Sequence, residues 1–131
     1  MSVQQDSPAV AVARAHVEAW TNHDYDTARQ GLAEDVWVTA TTTDPAPPKT
    51  DLVGIEDYMH GLVAFAQAVV PGSAEVLAST GDERRALLML TVRARFGPDA
   101  PEMTLPGARV YLLDENRKIK TEHVIFFAAF A

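Results

Sequence analysis

From Pro71 to its end the chain carries no helical periodicity; its apolar residues fall in short runs bounded by polar turns. Residues 74–80, 86–96, 102–113 and 119–130 read as strands, separated by Gly81-Asp82-Glu83, Gly97-Pro98-Asp99 and Asp114-Glu115-Asn116. Turns this short join antiparallel neighbours, so the second half of the chain is an antiparallel meander. Pro106-Gly107, inside the third run, predicts a bulge or other irregularity. A meander of this kind buries one face, and the first half of the chain has to supply the cover.

That half reads as helices interrupted by a strand. Ser7 is a good N-cap, and Pro8 suits the first helical position, where its missing N–H costs nothing. Val10, Ala13, Val17 and Trp20 then recur as a helical stripe with His16 in or beside it, and Asn22-His23-Asp24 breaks the pattern. Asp24 caps a short second helix reaching Ala33, with Ala28 and Leu32 facing inward. Residues 36–43 are rich in β-branched side chains and predict a strand. Asp44-Pro45-Ala46-Pro47-Pro48 is a loop, because its prolines cannot sustain a ladder. The clearest helix spans 54–70, with Ile55, Tyr58, Met59, Leu62, Phe65, Ala66 and Val69 on one face and Pro71-Gly72 at its end. The order is ααβαββββ, an α+β fold. Three helices lie on one face of a curved, mostly antiparallel sheet, and the other face is exposed or used for association.

Composition narrows the function classes. A chain of 131 residues, 47% of them apolar, suits one domain over 1–131 with a substantial core. Residues 1–7 read as a flexible start, and 44–49 as unstructured. The net charge of −7 opposes nucleic acid and anionic membrane surfaces alike, since both need clustered basic residues. With no cysteine, disulfides, thiol nucleophiles and zinc–thiolate sites are excluded. The first residues have no signal-peptide pattern, and the apolar run from Val124 falls far short of the roughly 20 residues of a membrane helix, which fits a cytoplasmic location. Asp24, Asp26, Glu34 and Asp35 match no metal loop, and His23, His60 and His123 make no convincing zinc set, so neither metal nor cofactor is expected.

Three stretches carry a family likeness: the run from Val17 to Asp26, the run Leu32-Ala33-Glu34-Asp35-Val36-Trp37-Val38, and Gly54-Ile55-Glu56-Asp57-Tyr58. With the element order, they resemble the nuclear-transport-factor-2-like superfamily. This cone-shaped α+β fold is shared by ketosteroid isomerases, limonene-epoxide hydrolases and SnoaL-like polyketide cyclases. The likeness runs from about Ala9 to Phe127 and implies an apolar pocket inside the cone. Its motifs specify fold more than function.

The resemblance also proposes site residues. The ketosteroid-isomerase tyrosine falls on His16, the aspartate base on Ala40 and the aspartate donor on Arg109. Ala40 cannot accept a proton, so that mechanism is rejected. Epoxide hydrolases of this fold use two carboxylates bridged by an arginine. Arg109 and Glu122 supply two of the three groups, and Tyr111 stands where the second carboxylate is needed, which makes epoxide hydrolysis the weaker alternative. Polyketide cyclases of this fold use a carboxylate acid or base against a carbonyl substrate. Glu122 fits that part, Arg109 orients it, and His16 is a second polar group. The expected pocket wall is Trp20, Val38, Ala40, Tyr58, Met59, Leu62, Leu90, Val92, Tyr111, Val124 and Phe126, with Phe65 as core or wall. A structural cross-strand ion pair explains Arg109 and Glu122 equally well, and a hydrogen-bonded core histidine explains His16 better than catalysis does.

Strand parity decides which reading survives. A one-residue slip turns Arg109 and Glu122 outward and brings Val110, Leu112 and His123 inward. Both faces of the last strand are apolar, so hydrophobicity leaves the register open but predicts that the outer face is covered too. A homodimer through the outer sheet face is the natural cover, with Met89, Thr91, Arg93 and Arg95 on that face. The function expected is acid–base chemistry, cyclase- or isomerase-like and without a cofactor, on a small apolar carbonyl compound. The alternatives are a non-catalytic binding module for an apolar ligand, or a dimerisation module with a vestigial pocket.

Overall fold

The computed structural model describes residues 6–42 and 50–127. Helix α1 (Pro8–Thr21) is capped by Ser7, whose hydroxyl accepts from the Val10 N–H. Helix α2 (Tyr25–Gln30) is capped by Asp24. The sheet strands are β1 (Leu32–Thr42), β2 (Thr50–Val53), β3 (Glu75–Gly81), β4 (Arg85–Ala94), β5 (Met103–Leu113) and β6 (Ile119–Phe126), and α3 (Ile55–Ala66) lies between β2 and β3. The sheet order is β2-β1-β6-β5-β4-β3, with β1 parallel to β6 and every other pairing antiparallel. The expected α+β architecture is present: helices on a mixed, mostly antiparallel sheet that remains open.

Four local expectations are corrected. The order gains a strand, becoming ααββαββββ, because Thr50–Val53 pairs with β1. That strand is too short and too exposed to leave an alternation in the sequence. The second helix stops at Gln30, not Ala33. Gly31 caps it, and Leu32 to Asp35 belong to an irregular start of β1 whose register shifts between Leu32 and Trp37. The third helix stops at Ala66; Gln67 and Ala68 continue as a turn, and Val69 then bridges to Ala94 at the end of β4. The β4–β5 register runs unbroken through Pro106 and Gly107; the irregularity of β5 lies at Leu112–Leu113, against β6. Gly107 is needed for another reason, since a Cβ there would sit 2.8 Å from the Ile125 carbonyl oxygen. At the chain start, Ser7 caps α1 and Asp6 pairs with Arg14, while the expected flexible residues before them lie outside the described residues. So do the proline loop through Lys49 and the last expected strand residues past Phe127.

The register places the helices. In β4, residues alternate exposed and buried from Arg85 to Ala94, so Ala86, Leu88, Leu90, Val92 and Ala94 face the core. Helix α1 packs over β3, β4 and β5, and α3 over β1 and β2. Trp20, Tyr111, Leu88, Leu113 and Ile119 are fully buried between these layers. Gly54, at φ +97°, makes the corner from β2 into α3, a backbone conformation that favours glycine. Asp82 fixes the β3–β4 turn by accepting from the backbone N–H groups of Arg84 and Arg85 at 3.0 and 2.8 Å.

Candidate functional site

The parity question resolves with Arg109 and Glu122 on the concave face, both buried. Val110, Leu112 and His123 alternate with them and are only half-buried. Tyr111 stands directly opposite Glu122 across β5 and β6, whereas Arg109 pairs with Val124. Arg109 therefore reaches Glu122 along the diagonal, its Nη1 3.2 Å from Oε2. The guanidinium also lies over the Trp20 ring, 4.8 Å from its centroid.

Helix α3 brings Tyr58 down onto the same carboxylate. The Tyr58 hydroxyl donates to Glu122 Oε1 at 2.6 Å. On the far side of that hydroxyl, 2.9 Å away, is Nε2 of His16 from α1. The other ring nitrogen of His16, Nδ1, donates to the Ala28 carbonyl of α2 at 3.1 Å. Three helices and two strands thus converge on one buried polar chain. Burial pushes the His16 imidazole below the ordinary histidine range, against the pull of Glu122. Burial pushes the Glu122 carboxyl up, but Arg109, then His16 and the two tyrosine hydroxyls, together outweigh it and hold it below the usual carboxylate range. Burial, then the Glu122 charge, holds both Tyr58 and Tyr111 well above the usual phenol range. Burial disfavours the charged Arg109, but Glu122, Tyr111 and Tyr58 together more than offset this and raise the guanidinium.

Above this cluster is a cavity of about 260 Å³. Val38 and Ala40 line it from β1, Thr50 and Leu52 from β2, Tyr58, Gly61, Leu62 and Phe65 from α3, and Val124 and Phe126 from β6. Arg109 and Glu122 lie at its floor. Six of the expected wall residues are there: Val38, Ala40, Tyr58, Leu62, Val124 and Phe126. The other five are elsewhere. Trp20 and Tyr111 are wholly inside the core, because α1 and β5 press directly on each other there. Leu90 and Val92 lie under the floor, beside a void of about 10 Å³. Met59 is buried in the core and borders, with His60 and Val63, a separate groove along α3. His16 does not reach the cavity; it stands behind Tyr58.

Sequence reasoning missed Thr50, Leu52 and Gly61 as wall, and missed that Tyr58 is a polar member of the site. The second omission was avoidable. Periodicity turns Tyr58 inward, and a buried phenol needs a hydrogen-bond partner. Among the described residues, no group of three His, Asp or Glu side chains could hold a metal, and no helix is long and apolar enough to cross a membrane. Larger clefts flank α1, about 370 and 400 Å³, but no buried carboxylate or imidazole lines them.

A helix-covered open sheet with an apolar cavity and a buried ionic floor defines the cone-shaped class to which the sequence was likened. The chain belongs to the SnoaL-like domain family, whose sequence profile matches residues 13–122. No curated protein matches the sequence. Among solved structures, a Kribbella flavida protein is similar at 26% identity with a TM-score of 0.71, covering 91% of this chain and 86% of the other. A Mycobacterium tuberculosis protein crystallised with estradiol-17β-hemisuccinate has a TM-score of 0.74 at 14% identity, covering 91% and 93%. An LEH-like epoxide hydrolase from M. tuberculosis has a TM-score of 0.70 at 18% identity, covering 91% and 82%. At these last identities the likeness is one of fold.

Proposed function

We propose that the protein is a cofactor-independent acid–base enzyme of the SnoaL-like kind, acting on a small apolar carbonyl compound held in the cavity over Glu122. The carrying observation is a single carboxylate at the floor of an otherwise apolar cavity, gripped on one oxygen by Arg109 and on the other by Tyr58. Such a carboxylate exchanges a proton with a bound carbonyl compound, and the fixed partners keep it aimed. Arg109 has further N–H donors for the substrate oxygen. His16 acts through Tyr58 and does not touch the substrate.

The chemistry of the floor argues against epoxide hydrolysis, because Tyr111 faces Glu122 where a second carboxylate is required. A second reading, sequestration of an apolar ligand without turnover, is favoured by Ala40, which leaves the cavity wall of β1 without a base. The convex face carries half-exposed Trp37 and Met89 in a setting that suits a second copy of the chain, and the cysteine-free sequence suits the cytoplasm.

The discriminating experiment is exchange of the α-hydrogens of indanone, a rigid aryl ketone small enough for the cavity, against deuterium from solvent. Saturable exchange above the buffer rate that is lost in Glu122→Gln supports the enzyme. Saturable binding, seen as quenching of tryptophan fluorescence, without added exchange supports sequestration.

A further inference from the structure

The polar chain beneath the cavity holds a countable number of protons. It has three contacts: Ala28 O to His16 Nδ1 at 3.1 Å, His16 Nε2 to Tyr58 Oη at 2.9 Å, and Tyr58 Oη to Glu122 Oε1 at 2.6 Å. At these lengths each contact between electronegative atoms needs one proton between them. A neutral imidazole brings one proton, a phenol one, and an ionised carboxylate none, which makes two protons for three contacts. The carbonyl of Ala28 can only accept, so the first proton is fixed on Nδ1. Nε2 then faces the phenol with a lone pair. The phenol has a single proton and two acceptors, Nε2 and Oε1, within reach. Either choice leaves two lone pairs pressed together inside the protein. The other tautomer, with the proton on Nε2, only moves the same clash to the Ala28 carbonyl.

We infer that the His16–Tyr58–Glu122 chain stores a third proton at neutral pH, and that Tyr58 relays it from His16 to Glu122, making Glu122 the site's acid. Two arrangements satisfy all three contacts with the same proton count. In one, His16 is doubly protonated and donates to Tyr58, which donates to ionised Glu122. In the other, Glu122 is protonated and donates to Tyr58, which donates to neutral His16. They interconvert when the Nε2 proton passes to the phenol oxygen as the phenol's own proton passes to Oε1. On reaction, the Glu122 O–H bond breaks with its electron pair left on the carboxylate, and a new O–H bond forms on the substrate's carbonyl oxygen. His16 is left neutral. His16 and Tyr58 are therefore positioning and relay residues, and Glu122 is the catalytic one.

The surroundings set what competes with this state. Arg109 and Tyr111 face the chain from β5, Val38 and Ala40 from β1, and α2 offers only the Ala28 carbonyl. Among the described residues, Arg109, His16 and Glu122 are the buried side chains able to carry a charge besides the two tyrosines. Arg109 opposes the extra proton on either group; burial opposes it on His16 and favours it on Glu122, and the three short contacts, with the Glu122 charge acting on His16, favour it. The proton count stands independently of turnover, and only the use made of the proton rests on the proposed enzyme reading.

The test is spectroscopic and needs no substrate. Nitrogen-15 NMR reads how many protons His16 carries, and the infrared carboxyl stretch, assigned by its loss in Glu122→Gln, reads whether Glu122 is protonated. At neutral pH the wild-type protein is expected to show either doubly protonated His16 or the carboxyl band, or both in exchange, with the two signals titrating together. In Tyr58→Phe the relay is cut, and both signatures are expected to be lost, leaving one proton on Nδ1 and an ionised Glu122. A wild-type protein with singly protonated His16 and ionised Glu122 at neutral pH overturns the inference, whether or not Tyr58→Phe folds. In that event the indanone exchange would still be lost in Glu122→Gln if Glu122 serves as a base, so the two readings fail separately.

Discussion

Replacing Glu122 with leucine strands a cation. The Arg109 and Glu122 side chains are 7% and 2% exposed and 3.2 Å apart. Arginine stays protonated across the accessible pH range, so Arg109 cannot neutralise itself when its partner goes. It keeps the Trp20 face, but a cation–π contact contributes only about 0.5–2 kcal/mol. Breaking a buried pair from one side costs about 3–5 kcal/mol, a large share of the roughly 5–15 kcal/mol that holds a domain folded. Adding Arg109→Met to Glu122→Leu removes the stranded charge, and most of the loss should return, because an apolar replacement of a buried pair is often close to neutral. The sign with pH follows from Glu122 lying below the ordinary carboxylate range in the folded protein. Its stabilising share is complete above the unfolded-state value and is lost as pH falls through the folded one. The gap between wild type and Glu122→Leu should therefore be full at neutral pH and narrow below the ordinary carboxylate range. Urea unfolding of the wild type and the two variants at several pH values measures this. A loss under about 1 kcal/mol for Glu122→Leu, the scale of an exposed pair, would refute the reasoning. So would a double variant no more stable than the single one.

Two further outcomes are expected away from the cavity. Met89→Glu puts a charge on the convex sheet face, where Met89 is 38% exposed, and should convert a dimer to monomers in sedimentation velocity without lowering monomer stability; a wild-type protein that sediments as a monomer contradicts the dimer. Asp82 is held at about 2 by the N–H groups of Arg84 and then Arg85, so its NMR titration midpoint should lie there, and the stability it adds should be present above the ordinary carboxylate value and be lost as pH falls through about 2; an ordinary midpoint contradicts the turn geometry.

The legible parts of the fold were those with long periodic signals. The α3 stripe and the β4 alternation each involve enough residues to outweigh local noise, and both elements are present, α3 without its last expected turn. Strand β2 was invisible because four residues cannot establish an alternation and its partner is reached across a proline-rich connection. Leu32 and Ala33 read as the end of the second helix, yet Gly31 ends it and β6 pairing pulls Leu32 into the sheet beside Ile119. The pairing of Arg109 with Glu122 came from the family likeness, since β6 is apolar on both faces and composition could not set its parity. Trp20 and Tyr111 were misplaced in the wall because an inward-facing aromatic fills core and cavity equally well until packing distances are known. The role of His16 was the least accessible. Its two partners come from α2 and α3, and only the fold brings Ala28 and Tyr58 to opposite edges of one ring.

The central claim is that Glu122 exchanges a proton with a carbonyl compound in the cavity, and the deuterium exchange of indanone tests it most directly. A positioned acid or base contributes about 10²–10⁴-fold to such a step. Protein-catalysed exchange in the wild type should therefore fall by about that factor in Glu122→Gln, with the variant still folded and still binding the ketone. Exchange by the wild-type protein no faster than buffer, or exchange undiminished in Glu122→Gln, would contradict the claim.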